Sequence, residues 1–156
     1  MVDHIIAKTD EEYSNSEILF KEYAAWLNID LSFQHFNDEL LQLKTMYAAP
    51  KGGIILCTEK NEFIGCVGIR KIETDIAELK RMFIKPAYQK RGIGKTLLEK
   101  AIELAIRLNY KTIRLDTLNY MTAAINLYKQ YGFYEIPPYY HNPNKTAVYF
   151  EIKLNG

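Results

Sequence analysis

The stretch Gln89-Lys90-Arg91-Gly92-Ile93-Gly94-Lys95-Thr96 is the tightest constraint on what this chain can fold into. It lies between a strand-like run, Glu78-Leu79-Lys80-Arg81-Met82-Phe83-Ile84, closed by Pro86, and a long amphipathic segment. In that segment Leu97, Leu98, Ala101, Ile102, Ala105 and Leu108 form one helical stripe. Lys95, Glu99, Glu103 and Arg107 occupy the opposite face, with Glu103 four residues ahead of Arg107 as a helix favours. Glycines at such a strand-to-helix turn let the backbone reverse tightly and bring its amides close to a ligand. The first N–H groups of the helix have no partner within it and sit at the positive end of its dipole. A phosphate or pyrophosphate suits that arrangement. Lys90, Arg91 and Lys95 add side-chain charge; the plainer reading is a turn carrying solvated basic residues.

The rest of the chain supplies a sheet and helices around this turn. Thr9 and Glu12 fit a capping box, followed by Ile18, Leu19, Tyr23, Trp26 and Leu27 at helical spacing. A shorter helix is expected from Asn37 or Asp38 through Leu40, Leu41 and Leu43, ended by Pro50 and Gly52-Gly53. Residues 53–58 and 63–70 read as a hairpin turning at Lys60-Asn61-Glu62. Thr112 to Leu118 reads as a strand and Thr122 to Tyr131 as a helix that Gly132 ends in a left-handed cap. Strands at about 133–136 and 147–154 flank the loop Pro137-Pro138…Asn142-Pro143. The expected order, α-α-β-β-β-α-β-α-β-β, is an α/β (α+β) fold: a mixed sheet with helices packed on it. No repeat or linker divides the 156 residues, so one domain over 1–156 is expected.

Composition removes several function classes. With 48% hydrophobic and 25% charged residues, wholesale disorder is excluded. Lys and Arg number 20 against 19 Asp and Glu, a balance that points to neither nucleic acid nor an anionic membrane surface as partner. No apolar run is long enough to span a bilayer. Met1-Val2-Asp3-His4 lacks the basic and apolar regions of a signal peptide, so a cytoplasmic protein is expected. Cys57 and Cys66 each sit in an apolar strand, as small core residues do. His4, His35 and His141 are scattered, so no metal is expected.

Among phosphate-binding patterns, Gly94-Lys95-Thr96 imitates the end of a Walker A loop, but that motif's first glycine would fall on Gln89. A dinucleotide fingerprint fails at Leu97, which stands where its third glycine belongs. The pattern Gln-x-x-Gly-x-Gly is filled completely by Gln89, Gly92 and Gly94. With Glu78 to Pro86 before it and Ala124-Ile125-Asn126-Leu127-Tyr128-Lys129-Gln130-Tyr131-Gly132-Phe133 after it, the chain resembles the GNAT N-acetyltransferases along nearly its whole length. Leu115-Asp116-Thr117-Leu118 and Pro138-Tyr139-Tyr140-His141-Asn142-Pro143 resemble a subgroup of small bacterial members.

The resemblance implies acetyl-CoA as cosubstrate and transfer of its acetyl group directly to a primary amine, without an acyl-enzyme. It places the CoA pyrophosphate on Gln89, Lys90, Arg91, Gly92, Ile93, Gly94 and Lys95. It places the pantetheine arm beside Met82, Phe83 and Ile84, where the central strands splay away from Thr112–Leu118. Many members carry Asn seven residues before the motif's tyrosine; this chain has Met121. The acceptor, a small molecule or a peptide amine, is left open, and a homodimer fits the family. A CoA-holding sensor or scaffold without turnover is the rival reading.

Acetyl transfer needs a neutral amine, a held carbonyl oxygen and a protonated thiol. An alkyl ammonium must lose a proton before it attacks. By resemblance Glu78 takes that proton; otherwise it is a solvated carboxylate or a partner of Lys80 or Arg81. Tyr128 takes the family position that protonates the departing thiolate, yet with Met121, Ala124 and Ile125 it also fits a packed apolar face. A backbone N–H near Phe83 or Ile84 holds the carbonyl oxygen. Tyr139, Tyr140 and Asn142 either line the acceptor site or shape a proline-bounded turn. Phe33 and Phe36 are read as core aromatics or acceptor-side walls.

Overall fold

A computed structural model describes residues 1–154. In chain order its elements are β1 (Asp3–Ile6), α1 (Asp10–Leu27), a 3-10 turn (Ser32–Gln34), α2 (Phe36–Leu41) and α3 (Leu43–Met46). Then follow β2 (Gly53–Glu59), β3 (Glu62–Glu73), β4 (Ile76–Ile84), a second 3-10 turn (Pro86–Tyr88) and α4 (Ile93–Arg107). The chain closes with β5 (Thr112–Leu118), α5 (Thr122–Gln130), β6 (Tyr134–Ile136) and β7 (Ala147–Lys153). The strands form one sheet in the order β1-β2-β3-β4-β5-β7-β6. All neighbours run antiparallel except β4 and β5, which are parallel.

Helices cover both faces. On one, α4 and α5 pack over Ile55, Val67, Leu79 and Ile113; on the other, α1 and α3 pack over Ile54, Leu56, Cys66 and Phe83. Successive side chains of β2 therefore go to different cores, which is why its sequence is an unbroken apolar run. Leu97 and Leu98 of α4 are wholly buried, and each such side chain contributes about 1.5–3 kcal/mol relative to exposure.

Local chemistry sets the element ends. Thr9 Oγ1 accepts from the Glu12 N–H at 3.1 Å and Glu12 Oε1 accepts from the Thr9 N–H at 3.0 Å, so the capping box is closed. Lys60 and Asn61 both take positive φ, 52° and 65°, the twist that lets a two-residue turn join β2 to β3. Past α5, Gly132 at φ +99° donates to the Lys129 carbonyl and Phe133 to that of Tyr128, a Schellman ending. The Phe133 ring then packs on Tyr128, centroids 5.6 Å apart.

Two features depart from the sequence reading. β1 was not foreseen: four residues on a sheet edge carry too short an alternation to stand out, and pairing with β2 makes them a strand. The helix expected from Asn37 or Asp38 begins at Phe36 and breaks at Gln42 (φ −124°, ψ 23°) into α2 and α3. The break leaves Leu41 85% exposed while Leu43 enters the core.

The feature that positions the site is in the middle of the sheet. Cys66 pairs with Phe83 but Gly68 pairs with Lys80, so Arg81 and Met82 together face one residue, Val67. This is a β-bulge in β4, with Arg81 at φ +59°, and a bulge bends its strand. The parallel pairing of β4 with β5 ends at Glu78 and Arg114. Beyond it the two strands part, and the splay expected of the central strands is present.

Candidate active site

The parted strands enclose a narrow slot that opens to solvent. Lys80, Arg81 and Met82 line it from β4; Asp116, Thr117 and Leu118 line it from β5. Tyr128 of α5 closes it on one face of the sheet and Tyr23 of α1 on the other. The slot therefore passes through the sheet, with an apolar floor on the α4–α5 side and a charged wall on the α1 side.

At the foot of α4 the glycine turn matches an anion. Gly92, at φ +80°, is the N-cap, and no side chain caps the helix. A Cβ built on Gly92 would meet nothing within 4 Å, so the cradle over these amides is open. The first-turn N–H groups have neither intrahelical partners nor a capping side chain. Gln89 Nε2 donates to the Ile84 carbonyl at 2.9 Å, tying the turn to the end of β4 beside the slot. Gly94 brings α4 against β4, its notional Cβ 3.4 Å from Ile84 Cδ1. These residues fit a pyrophosphate whose attached arm runs along β4 into the slot. Of the basic residues expected to help, Arg91 is engaged elsewhere: its Nη2 lies 2.7 Å from Glu59 Oε2. Lys90 and Lys95 are exposed at the turn.

Met82 lines the slot, whereas the Phe83 side chain turns away into the other core, 5.8 Å from Trp26 and 6.0 Å from Tyr23 between ring centroids. Tyr128 is 5% exposed. Its hydroxyl makes no hydrogen bond among the described residues, where the only buried side-chain polar atom without a partner is His4 Nε2. Tyr128 lines the slot with that unpartnered hydroxyl. Burial pushes the phenol well above its ordinary pKa, so it holds its proton at neutral pH. Tyr23 brings a second phenol, which burial pushes up to about 12.

Glu78 sits differently from what its motif position suggested. It is 2% exposed and does not line the slot. Arg70 Nε donates to its Oε1 at 2.9 Å, Tyr139 Oη donates to its Oε2 at 2.6 Å, and Lys80 Nζ lies 3.7 Å away. Burial alone would raise its pKa, but the charges of Lys80 and Arg70 and the Tyr139 hydrogen bond outweigh it and hold the carboxyl low.

The carboxylate that does face the slot is Asp116. Its Oδ2 accepts from Tyr140 Oη at 2.8 Å. Tyr140 in turn accepts from Gln34 Nε2 at 2.9 Å and Asn142 Nδ2 at 3.2 Å. Gln34 Oε1 accepts from Arg81 Nη1 at 2.7 Å and Lys80 Nζ at 3.3 Å. Burial pushes the Asp116 carboxyl up, with Lys80 opposing. Glu39 of α2 holds Arg81 by two hydrogen bonds, 2.8 Å and 3.2 Å, and Phe36 lies 5.1 Å under the guanidinium. The Phe33 side chain lies outside the described residues. Cys57 and Cys66 are wholly buried, and burial pushes the Cys57 thiol up to about 12 and that of Cys66 higher still.

The sequence presents Lys80 only as a partner of Glu78 and Asp116 only within the subgroup stretch, and it assigns neither of them, nor Gln34, a place in the site. Two signals were present: Lys80 shares a strand face with Glu78 at spacing two, and Asp116 interrupts the apolar positions Ile113, Leu115 and Leu118. Gln34, on an irregular turn far along the chain from β4, carried none.

A splayed parallel pair beside an uncapped, glycine-opened helix N-terminus defines the acyl-CoA acyltransferase fold. The family model described as "Acetyltransferase (GNAT) family" matches residues 17–133. An uncharacterized N-acetyltransferase of Dictyostelium discoideum is 32% identical, over 96% of this chain and 98% of the relative. Two solved structures are similar over 98% of both chains. One is an acetyltransferase of Streptococcus agalactiae (TM-score 0.80, 21% identity); the other is a GNAT-family acetyltransferase of Elizabethkingia anophelis with acetyl-CoA bound (TM-score 0.69, 22% identity). The chain belongs to the GNAT acetyltransferase family, and it is an acetyltransferase. Among the described residues no group of His, Cys, Asp and Glu could hold a metal ion, and no helix is long and apolar enough to cross a membrane.

Proposed function

We propose that this chain transfers the acetyl group of acetyl-CoA directly to a primary amine. The observation that carries the reading is the continuity of the open cradle at Gly92, the parted edge of β4 and the slot-lining Tyr128. Bound there, acetyl-CoA supplies an acyl group on a thiol leaving group. The amides of residues 91–95 hold the pyrophosphate, and the unpaired edge of β4 near Phe83 and Ile84 orients the arm and the acyl oxygen. Tyr128 donates its proton to the departing sulfur. Met121 lines the slot in place of a polar contact, leaving cofactor binding to the backbone. Glu78 serves from behind the wall, as the anion that fixes Arg70, Lys80 and Tyr139.

The test begins with CoA. Its addition should raise Tm progressively with concentration. Gly92→Val should weaken CoA binding by more than tenfold by filling the cradle. Gly92→Asn, which tolerates the left-handed backbone better, should do the same with less loss of stability. Normal CoA affinity in both variants rejects this cradle. Free-thiol release with amine acceptors supports the transfer; CoA binding without release of thiol to any amine supports the non-catalytic module instead.

Glu78→Gln separates its two roles. With Glu78 as a fixed counter-ion, kcat should fall by a similar factor at every pH from 6 to 10, roughly tenfold for one charge-assisted contact. Recovery of the rate at high pH, where the amine arrives neutral, would instead make Glu78 the proton acceptor that the motif suggested.

A further inference from the structure

The charges around the slot are unequally satisfied. Arg81 is matched by Glu39, through 2.8 Å and 3.2 Å hydrogen bonds, and Arg70 by Glu78 at 2.9 Å. Lys80 shares Glu78 with Arg70 at a longer 3.7 Å, and it and Asp116 face the slot from opposite strands, Lys80 on β4 and Asp116 on β5. The Lys80 side chain is 5% exposed. Its ammonium has three donors, yet among the described residues its one hydrogen bond is to Gln34 Oε1 at 3.3 Å, beside a longer 3.7 Å ion pair with the Glu78 oxygen that also accepts from Arg70. Asp116 uses one oxygen for Tyr140, while Oδ1 has no protein partner among the described residues. No ion pair joins Lys80 and Asp116 to each other among those residues. A buried ammonium with unused donors and a half-satisfied carboxylate, kept apart across a cavity, are both better satisfied when a ligand completes their hydrogen bonds. A ligand with one charge of each sign completes both and leaves the slot neutral.

Resting on the transfer reading above, we propose that the acceptor is a small zwitterion, an amino acid, whose carboxylate is held by Lys80 and whose ammonium gives a proton to Asp116. The acceptor nitrogen sheds two protons in all. One passes to Asp116 Oδ1 and on to water, freeing the lone pair. The C–N bond to the acyl carbon then forms and the C–S bond breaks. Tyr128 protonates the sulfur and is reprotonated by the second proton from nitrogen. Asp116 is faced by Lys80, Glu78 and Arg81 from β4, by Tyr139 and Tyr140 from the loop after β6, by Tyr149 from β7, and by Tyr23 and Tyr128 from the helices. Lys80 and Arg81 keep it anionic; Glu78 and burial favour its taking a proton.

The experiment compares each of a panel of amino acids with its amide and with the amine lacking its carboxylate. Acetyl-CoA-dependent thiol release and calorimetric binding in the presence of CoA are the two readouts. The amino acid should exceed both partners by about 10–100-fold in kcat/KM, the range of one charge-assisted contact. Lys80→Met should reduce that ratio to near one and abolish carboxylate-dependent binding. Asp116→Asn should lower kcat about 10²-fold at pH 7, with recovery as pH rises and the ammonium deprotonates unaided. Amides or simple amines used as well as amino acids would overturn the zwitterion assignment while leaving amine acetylation intact. A pH-independent loss in Asp116→Asn would overturn the proton-acceptor role. Thiol release with none of the ligands, while CoA still stabilises the protein, would remove the transfer reading and this inference with it.

Discussion

Glu39→Ala should cost about 3–5 kcal/mol of unfolding free energy, the usual range when one partner of a buried ion pair is removed. Glu39 is 3% exposed and Arg81 5%. Without the carboxylate, the guanidinium keeps one hydrogen bond, to Gln34 at 2.7 Å, and Tyr47 loses the acceptor it now has at 2.9 Å. Arg81 also holds the left-handed bulge at φ +59°, a conformation that a non-glycine residue keeps only when its surroundings enforce it. The same pair predicts an acid limb. Burial alone would raise Glu39, but Arg81 and Lys80 outweigh it, so its pKa is lower folded than unfolded. The stability it contributes is therefore present above the usual carboxylate pKa and is lost as pH falls through the lower folded value. Urea midpoints at pH 7 and at successive steps below about pH 5 should show a shallower acid dependence in Glu39→Ala than in the parent. If that variant does not fold, Glu39→Gln, which retains an acceptor, should lose less and still flatten the acid limb. A loss below about 1 kcal/mol would mean that the pair behaves as a solvated surface bridge.

Tyr128→Phe should lower kcat about 10²-fold, the low end for general acid catalysis, because a thiolate departs more readily than most leaving groups. The ring contacts with Phe133 and Phe150, at 5.6 Å and 6.5 Å, remain in the variant. The hydroxyl removed has no protein partner among the described residues, so Tm and the CoA dissociation constant should be nearly unchanged. A fall in kcat at constant Kd is the signature of an interaction made on the way to the transition state. With chemistry shown to be rate-limiting, an intact kcat would make Tyr128 a packing residue and direct attention to Tyr23 across the slot. Weakened CoA binding, or a large drop in Tm, would show that the hydroxyl is structural.

What the sequence determined by itself is local. Thr9 and Glu12 close a capping box three residues apart; Lys60-Asn61 reverses a hairpin; Gly132 ends α5; Gly92 opens α4. Each rests on backbone preferences and contacts within a single turn, so neighbouring residues suffice to specify it. The apolar run of β2 and the stripe of α4 belong with these, because a strand buried on both faces and a helix buried on one each leave their own pattern in the sequence. The family motif added the slot's position and Tyr128. The tertiary structure decided which charges face that slot. The bulge at Arg81 comes from a register against β3 and is held by Glu39, 42 residues away in the chain. That bulge parts β4 from β5, turning Lys80 and Asp116 into the two walls of a cavity. Arg70 reaches Glu78 from the facing position of β3, eight residues away, and Tyr139 from a loop 61 residues on, and by satisfying it they hold it behind the wall. A carboxylate's role depends on which other groups reach it first, and those groups meet only when the sheet is assembled.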